Sequence, residues 1–145
     1  MLSFRSATTA DSAEIHRLWD AAGVSQGFEN DTAEITERLR NDDGFFVVGE
    51  AEGRLVAAAM GCYDDHRGWL KRVAIDPSMQ GRGFGRSIVE EVEQRFLAAG
   101  IAKLRLAVWS ENTSALAFWS ELDYLELDEI RYFTKDLTDN PEDNT

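Results

Sequence analysis

Cysteine, proline and positive charge are all scarce in this chain, and each scarcity removes a class of protein. Cys62 is the only cysteine in 145 residues. That excludes an internal disulfide and a multi-cysteine metal site, and no metal is expected. Proline occurs twice, as Pro77 and Pro141, so the chain has no proline-rich linker. Lys and Arg number 15 against 27 Asp and Glu, a formal net charge of −12. Nucleic-acid binding needs a basic face, so no nucleic-acid partner is expected. No apolar run approaches the roughly 20 residues of a membrane span. The start, Met1-Leu2-Ser3-Phe4-Arg5, lacks a signal-peptide core. The expectation is a cytoplasmic protein without a membrane partner.

What remains is an ordinary globule. Hydrophobic residues make up 43% of the chain and the mean hydropathy is −0.35. This length suits a single core, read as one domain over residues 1–137. Residues 138–145 read as a polar, acidic, frayed tail. An acidic surface suits a cationic acceptor such as an amine, and it also serves solubility alone.

Periodicity places the elements. Leu2 to Ala7 reads as a strand. Asp11 and Glu14 form a capping-box pattern that opens a helix with Ile15, Leu18, Trp19 and Ala22 on its apolar stripe. Asp31 and Glu34 repeat the pattern for a short helix with Ile35 and Leu39 inward. His16 reads as surface. Phe45 to Glu50 and Leu55 to Tyr63 read as a hairpin, the second strand apolar on both faces and therefore central. Asp64 to Gly68 turns the chain into Trp69 to Ile75. A long helix runs from Gly83 to Ala99 and ends at Gly100. Lys103 to Trp109 reads as a strand, Asn112 to Glu121 as a helix, and Tyr124 to Leu127 and Ile130 to Lys135 as closing strands. The class is α/β (α+β), a sheet flanked by helices. The last edge strand offers a place for a second copy to pair as a homodimer.

The densest signal is Gln80-Gly81-Arg82-Gly83-Phe84-Gly85-Arg86. It lies between the strand pattern Val73-Ala74-Ile75, stopped by Asp76-Pro77, and a helix with Ile88, Val89, Val92 and Phe96 on one face. Alternate glycines let the backbone turn sharply and let a ligand approach it closely. Loop N–H groups and the helix N-terminus then favour an anion, and Arg82 and Arg86 add mobile positive charge. The dinucleotide pattern G-x-G-x-x-G fails, because Arg86 and Ile88 stand where the third glycine is needed. The P-loop fails too, since no Gly-Lys-Ser/Thr occurs.

The loop resembles the [QR]-x-x-G-x-[GA] acyl-CoA segment of the GNAT N-acetyltransferases, with Gln80, Gly83 and Gly85 in place. Downstream, Asn112, Ala115, Phe118 and Tyr124 match that family's N-x-x-A-x-x-[FL]-Y-x-x-x-G-[FY] pattern. Trp119 and Asp123 depart from its tyrosine and glycine. The hairpin Tyr63-Asp64-Asp65-His66-Arg67-Gly68 looks like a Y-D-x-H-R-G segment of a little-characterised bacterial branch.

The resemblance implies a mostly antiparallel sheet with splayed central strands and an acyl-CoA donor, in practice acetyl-CoA. It implies that the pantetheine arm lies between the strand ending at Ile75 and the one ending near Trp109. The arm pairs with main-chain groups of Val73 and Ile75 like an added strand. The pyrophosphate rests on the amides of Gly81, Arg82, Gly83, Phe84, Gly85 and Arg86, beside Gln80. Phe118 belongs to the same binding motif. Asn112 either bonds the arm or caps its helix.

An acceptor amine attacks the thioester directly, and the Val73 N–H is the expected oxyanion donor. The family's usual proton donor, the tyrosine, is absent, because an indole N–H at Trp119 is no acid at neutral pH. Many relatives place a glutamate near the start of the central strand, where this chain has Gly68-Trp69-Leu70. His66 is the remaining candidate base, or a solvated turn residue. Asp64 and Asp65 read as candidates or as turn formers. Cys62 reads as a core thiol.

Trp69 and Trp119 suggest an aromatic wall at the acceptor mouth, with core packing as the alternative. The acceptor is a small-molecule amine, a protein N-terminus or a lysine. The competing function is a non-catalytic acyl-CoA-binding sensor or partner-binding module.

Overall fold

The computed structural model describes residues 1–41, 43–65 and 67–139. The chain falls into two compact units, one from Met1 to Ala107 and one beginning at Val108.

The first unit is a five-stranded sheet in sequential order: β1 (Ser3–Ser6), β2 (Phe46–Ala51), β3 (Arg54–Tyr63), β4 (Gly68–Ile75) and β5 (Leu104–Arg105). Neighbours from β1 to β4 pair antiparallel, while β4 and β5 pair parallel. Helices α1 (Ser12–Ala21) and α2 (Phe28–Arg38) precede β2, and α3 (Phe84–Ala98) links β4 to β5.

β3 is central, as its two apolar faces require: Leu55 to Met60 are all buried. One face meets Ile15, Leu18 and Trp19 of α1 and Ile35 of α2, packed with Phe46, Val48, Ala58, Met60 and Ala74. On the other face Phe96 of α3 stacks on Phe45 at a centroid distance of 4.1 Å. Glycine permits this approach. A Cβ on Gly61 would lie 2.8 Å from the Phe96 ring, and one on Gly68 would lie 2.6 Å from Leu104 Cδ2.

Both capping boxes expected near the N-terminus are replaced. Asp11 does not cap α1 with Glu14. Its carboxylate accepts from the Thr8 amide at 2.8 Å and from both Nη atoms of Arg5 at 2.8 Å. These bonds hold the Asp11 carboxyl below the usual range, the Arg5 guanidinium being the largest cause. Helix α2 starts one turn earlier than Asp31, after Gly27 at φ 98°. Asp31 is therefore inside the helix and buried.

The second unit contains α4 (Thr113–Glu121), with Asn112 as its N-cap. Strand β5 is shorter than the expected 103–109. The closing strands expected at 124–127 and 130–135 are absent among the described residues. A strand exists only through its partner's hydrogen bonds, so alternating sequence there is not sufficient.

Candidate active site

β4 leads directly into the glycine loop, and three features of that path define the site. The first is an open edge. Gly68 pairs with Leu104 and Trp69 with Arg105, and the parallel ladder ends there. From Leu70 to Ile75 the β5-facing edge of β4 carries no ladder partner among the described residues. Such an edge offers N–H and C=O groups at strand spacing to an extended ligand with amides of its own.

The second is a bulge. Ala58 pairs with Ala74 and Met60 with Lys71, so Arg72 and Val73 together face Ala59. Arg72 takes φ 56°, a left-handed conformation that costs a non-glycine residue about 1–2 kcal/mol. The extra residue lifts Val73 out of the regular ladder.

The third is the loop. Asp76 ends β4 and fixes its exit by accepting from the Ser78 amide at 3.0 Å and the Ser78 hydroxyl at 2.8 Å. Arg17 and Arg54 approach the same carboxylate at 3.3 and 3.2 Å. The Ser78 amide is the main cause that holds the Asp76 carboxyl below the usual range, against the opposing effect of burial. Gly81 and Gly83 follow at φ 82° and 80°. A Cβ on either would meet nothing within 4 Å, so these glycines serve the dihedral and border open space. Gly83 is the N-cap of α3 and has no side chain to satisfy the first-turn N–H groups. N–H groups left open at a helix N-terminus favour an anion.

Val73, Ile75, Gln80, Gly81, Arg82, Gly83, Phe84, Gly85 and Arg86 thus lie on one continuous path in the first unit. Ile75 and Phe84 anchor it from beneath, packed on Ala51, Val56 and Met79. Arg82 is exposed and stands 3.3 Å from Glu52.

Trp69 lies at the far end of β4 from the loop. Its Nε1 donates to Asp64 at 3.0 Å, and Asp64 also accepts from the Arg67 amide at 2.9 Å. Asp64 is therefore a turn former that fastens the hairpin. His66 lies outside the described residues. In the second unit Asn112 accepts from the Ala115 amide at 3.1 Å, which fulfils the capping role. Phe118, Trp119 and Tyr124 there form a chain of edge-to-face contacts at 4.9 and 5.1 Å.

Two readings need correction. Cys62 is half-buried and packs against the core from its margin. His16 is no free surface residue: its Nδ1 lies 2.8 Å from Asp31 Oδ2, and its ring meets Phe28 edge-on at 5.1 Å.

Asp31 is the hub that the sequence pattern concealed. It accepts from the Ser25 hydroxyl at 2.6 Å, the Gln26 amide at 3.0 Å and Arg72 Nη2 at 3.1 Å. Burial pushes its carboxyl up, but these bonds outweigh burial and hold it below the usual range. The available signal was Arg72 itself, a cation in a strand whose neighbours are core, which demands a buried partner. Beside this hub a cleft of about 350 Å³ is lined by Glu34, Glu37, Asp43, Cys62, Tyr63 and Lys71, among others.

A strand with a bulge and an open edge, running into a glycine turn at a helix N-terminus, is the candidate site, and it is the arrangement that the sequence resemblance implies for a transferase. Residues 12–124 match the model of the acetyltransferase (GNAT) family, and the chain belongs to that family. It is 30% identical over 121 residues to an acetyltransferase of Yersinia enterocolitica, covering 83% of this chain and 86% of that one. The fold matches the ribosomal-protein-S18-alanine N-acetyltransferase of Escherichia coli at TM-score 0.74 and 21% identity, over 84% of this chain and 76% of that one. It also matches AAC(6')-Iy in complex with the bisubstrate analogue CoA-S-monomethyl-acetylneamine at TM-score 0.78 and 16% identity, over 94% and 99%. The chain is an N-acetyltransferase of the GNAT family. Among the described residues there is no cluster suited to a metal ion, and no helix is long and apolar enough to cross a membrane.

Proposed function

We propose that the chain transfers an acetyl group from acetyl-CoA directly to an amine. The observation that carries this is the open edge of β4 from Leu70 to Ile75 leading into the loop at Gly81 and Gly83. On this reading the pantetheine arm adds to that edge beside Val73 and Ile75. The pyrophosphate sits on the amides from Gly81 to Arg86. The acceptor enters from the opposite end of β4, past Trp69.

The acceptor nitrogen attacks the thioester carbonyl as a neutral amine. The carbonyl oxygen gains charge and takes a hydrogen bond from the Val73 N–H. The tetrahedral intermediate collapses to an amide and CoA thiolate, and the proton lost by nitrogen goes to solvent or to His66. Trp119 cannot protonate the sulfur. A thiol of pKa about 8.5 leaves acceptably without help, and the missing acid costs at most about 10²–10⁴-fold in rate.

Acceptor chemistry follows the two kinds of substrate named for the fold's relatives, an aminoglycoside-type polyamine and a peptide N-terminus. The test is thiol release from acetyl-CoA over a panel of such amines, N-terminal peptides and lysine peptides, with wild type and Trp119→Tyr in parallel. Acceptor-dependent release by wild type is expected, rising in the tyrosine variant. Release by the tyrosine variant alone would mean that this chain binds the donor without turning it over.

A further inference from the structure

The bulge of β4 is held from outside the strand. Arg72 adopts φ 56° without being glycine, and its guanidinium makes a dense set of contacts with α1, α2 and the loop between them. Nη1 donates to the Val24 carbonyl at 2.5 Å, and Nη2 meets Asp31 Oδ1 and Glu34 Oε1, each at 3.1 Å. The guanidinium carbon sits 3.9 Å above the Trp19 ring. Trp19 and Asp31 are both fully buried, so neither can follow Arg72 if it moves. A planar fork that satisfies three acceptors while stacking on an aromatic face has one position, which a lysine cannot reproduce. The residue so fixed directly precedes Val73.

We propose that Arg72 is a positioning residue for acyl transfer: its clamp between Asp31, Glu34, Val24 and Trp19 holds the β4 bulge so that the Val73 N–H points at the thioester carbonyl. The inference rests on the proposed use of acetyl-CoA at this edge. It adds that the carbonyl-facing amide is set by a side-chain clamp and not by the strand ladder. Arg72 touches no substrate and acts through the backbone.

The test follows individual backbone amide resonances of ¹⁵N-labelled protein on addition of acetyl-CoA, with free CoA as control. It requires no acceptor. In wild type, both ligands should shift the loop amides of Gly81 to Phe84 and both lay the pantetheine arm along β4. The Val73 response is therefore the further shift of that amide with acetyl-CoA over free CoA, because only the thioester supplies the carbonyl. In Arg72→Ala the loop should still respond, while the Val73 response is lost. Arg72→Gly adopts the bulge dihedral without strain and should recover part of it. Arg72→Lys should lose most of it despite keeping the charge, and carries the comparison if the alanine variant does not fold. An unchanged Val73 response in the alanine or lysine variant would overturn the proposal, as would an equal loss in the glycine and alanine variants. Absence of any loop response in wild type would instead overturn the donor site itself.

Discussion

A carboxylate with none of its side chain exposed must keep its partners or give up its charge. Asp31 is in that position. Its folded pKa lies below the ordinary value of 3.8, so its stabilising effect is fully present above that value. The effect is lost as pH falls through the lower, folded one. Replacing Asp31 with alanine strands Arg72 without its buried partner, and should cost about 3–5 kcal/mol at pH 7. The gap between wild type and variant, read from urea unfolding, should narrow at pH 3. A gap that stays constant or widens would mean that Asp31 does not act through its charge. This residue also shows what a sequence conceals. Asp31-Thr32-Ala33-Glu34 spells a capping box, and local pattern assigns it to a helix start. The decisive partners, His16 and Arg72, are 15 and 41 residues away. They meet it only once α1, α2 and β4 have packed. The path from β4 through the glycine loop into α3, by contrast, was legible because a strand, a proline stop and a glycine loop follow one another in sequence.

At the scale of elements, β4 and β5 stay together for two residue pairs and no further. Gly68 makes that short union possible. Its amide donates to the Lys103 carbonyl at 3.1 Å, and a Cβ there would stand 2.8 Å from the Phe96 ring and 2.6 Å from Leu104. Gly68→Ala should therefore push β5 away and destabilise the fold by about 1–3 kcal/mol through overpacking. Thermal unfolding measures this, and an unchanged midpoint would show that Leu104 yields freely. Helix α3, β3 and the loop were all legible, since each carries its own periodicity or glycine pattern. The extent of β5 was not. Leu104, Leu106 and Val108 alternate like a strand, but the length of a ladder depends on where the neighbouring backbone goes. The same reason applies to 124–127 and 130–135, whose alternation describes what a strand needs on its faces and says nothing about its edges.

The molecule as a whole carries a net charge of −12, and this bears on both substrates in opposite senses. Acetyl-CoA is polyanionic and must approach a chain of its own sign, so on the proposed reading its binding depends on local donors: the loop amides, Arg82 and Arg86. Short-range hydrogen bonds of this kind are little weakened by salt, and screening lowers the long-range repulsion. A cationic acceptor gains from the same field, although the cleft lined by Glu34, Glu37 and Asp43 also holds Arg38 and Lys71, which pair with Asp43 and Glu34. Raising ionic strength from about 0.01 to 0.15 M contracts the screening length from about 30 to 8 Å. The KM for a polyamine acceptor should then rise several-fold, while the KM for acetyl-CoA holds or falls. A neutral amine of similar size should show no such rise. If polyamine and neutral amine respond alike, the acidic surface serves solubility and plays no part in acceptor capture. If the polyamine alone responds, replacing Glu37 with glutamine should remove part of the salt dependence, because Glu37 lines the cleft and belongs neither to the Arg72 clamp nor to the Arg38–Asp43 pair.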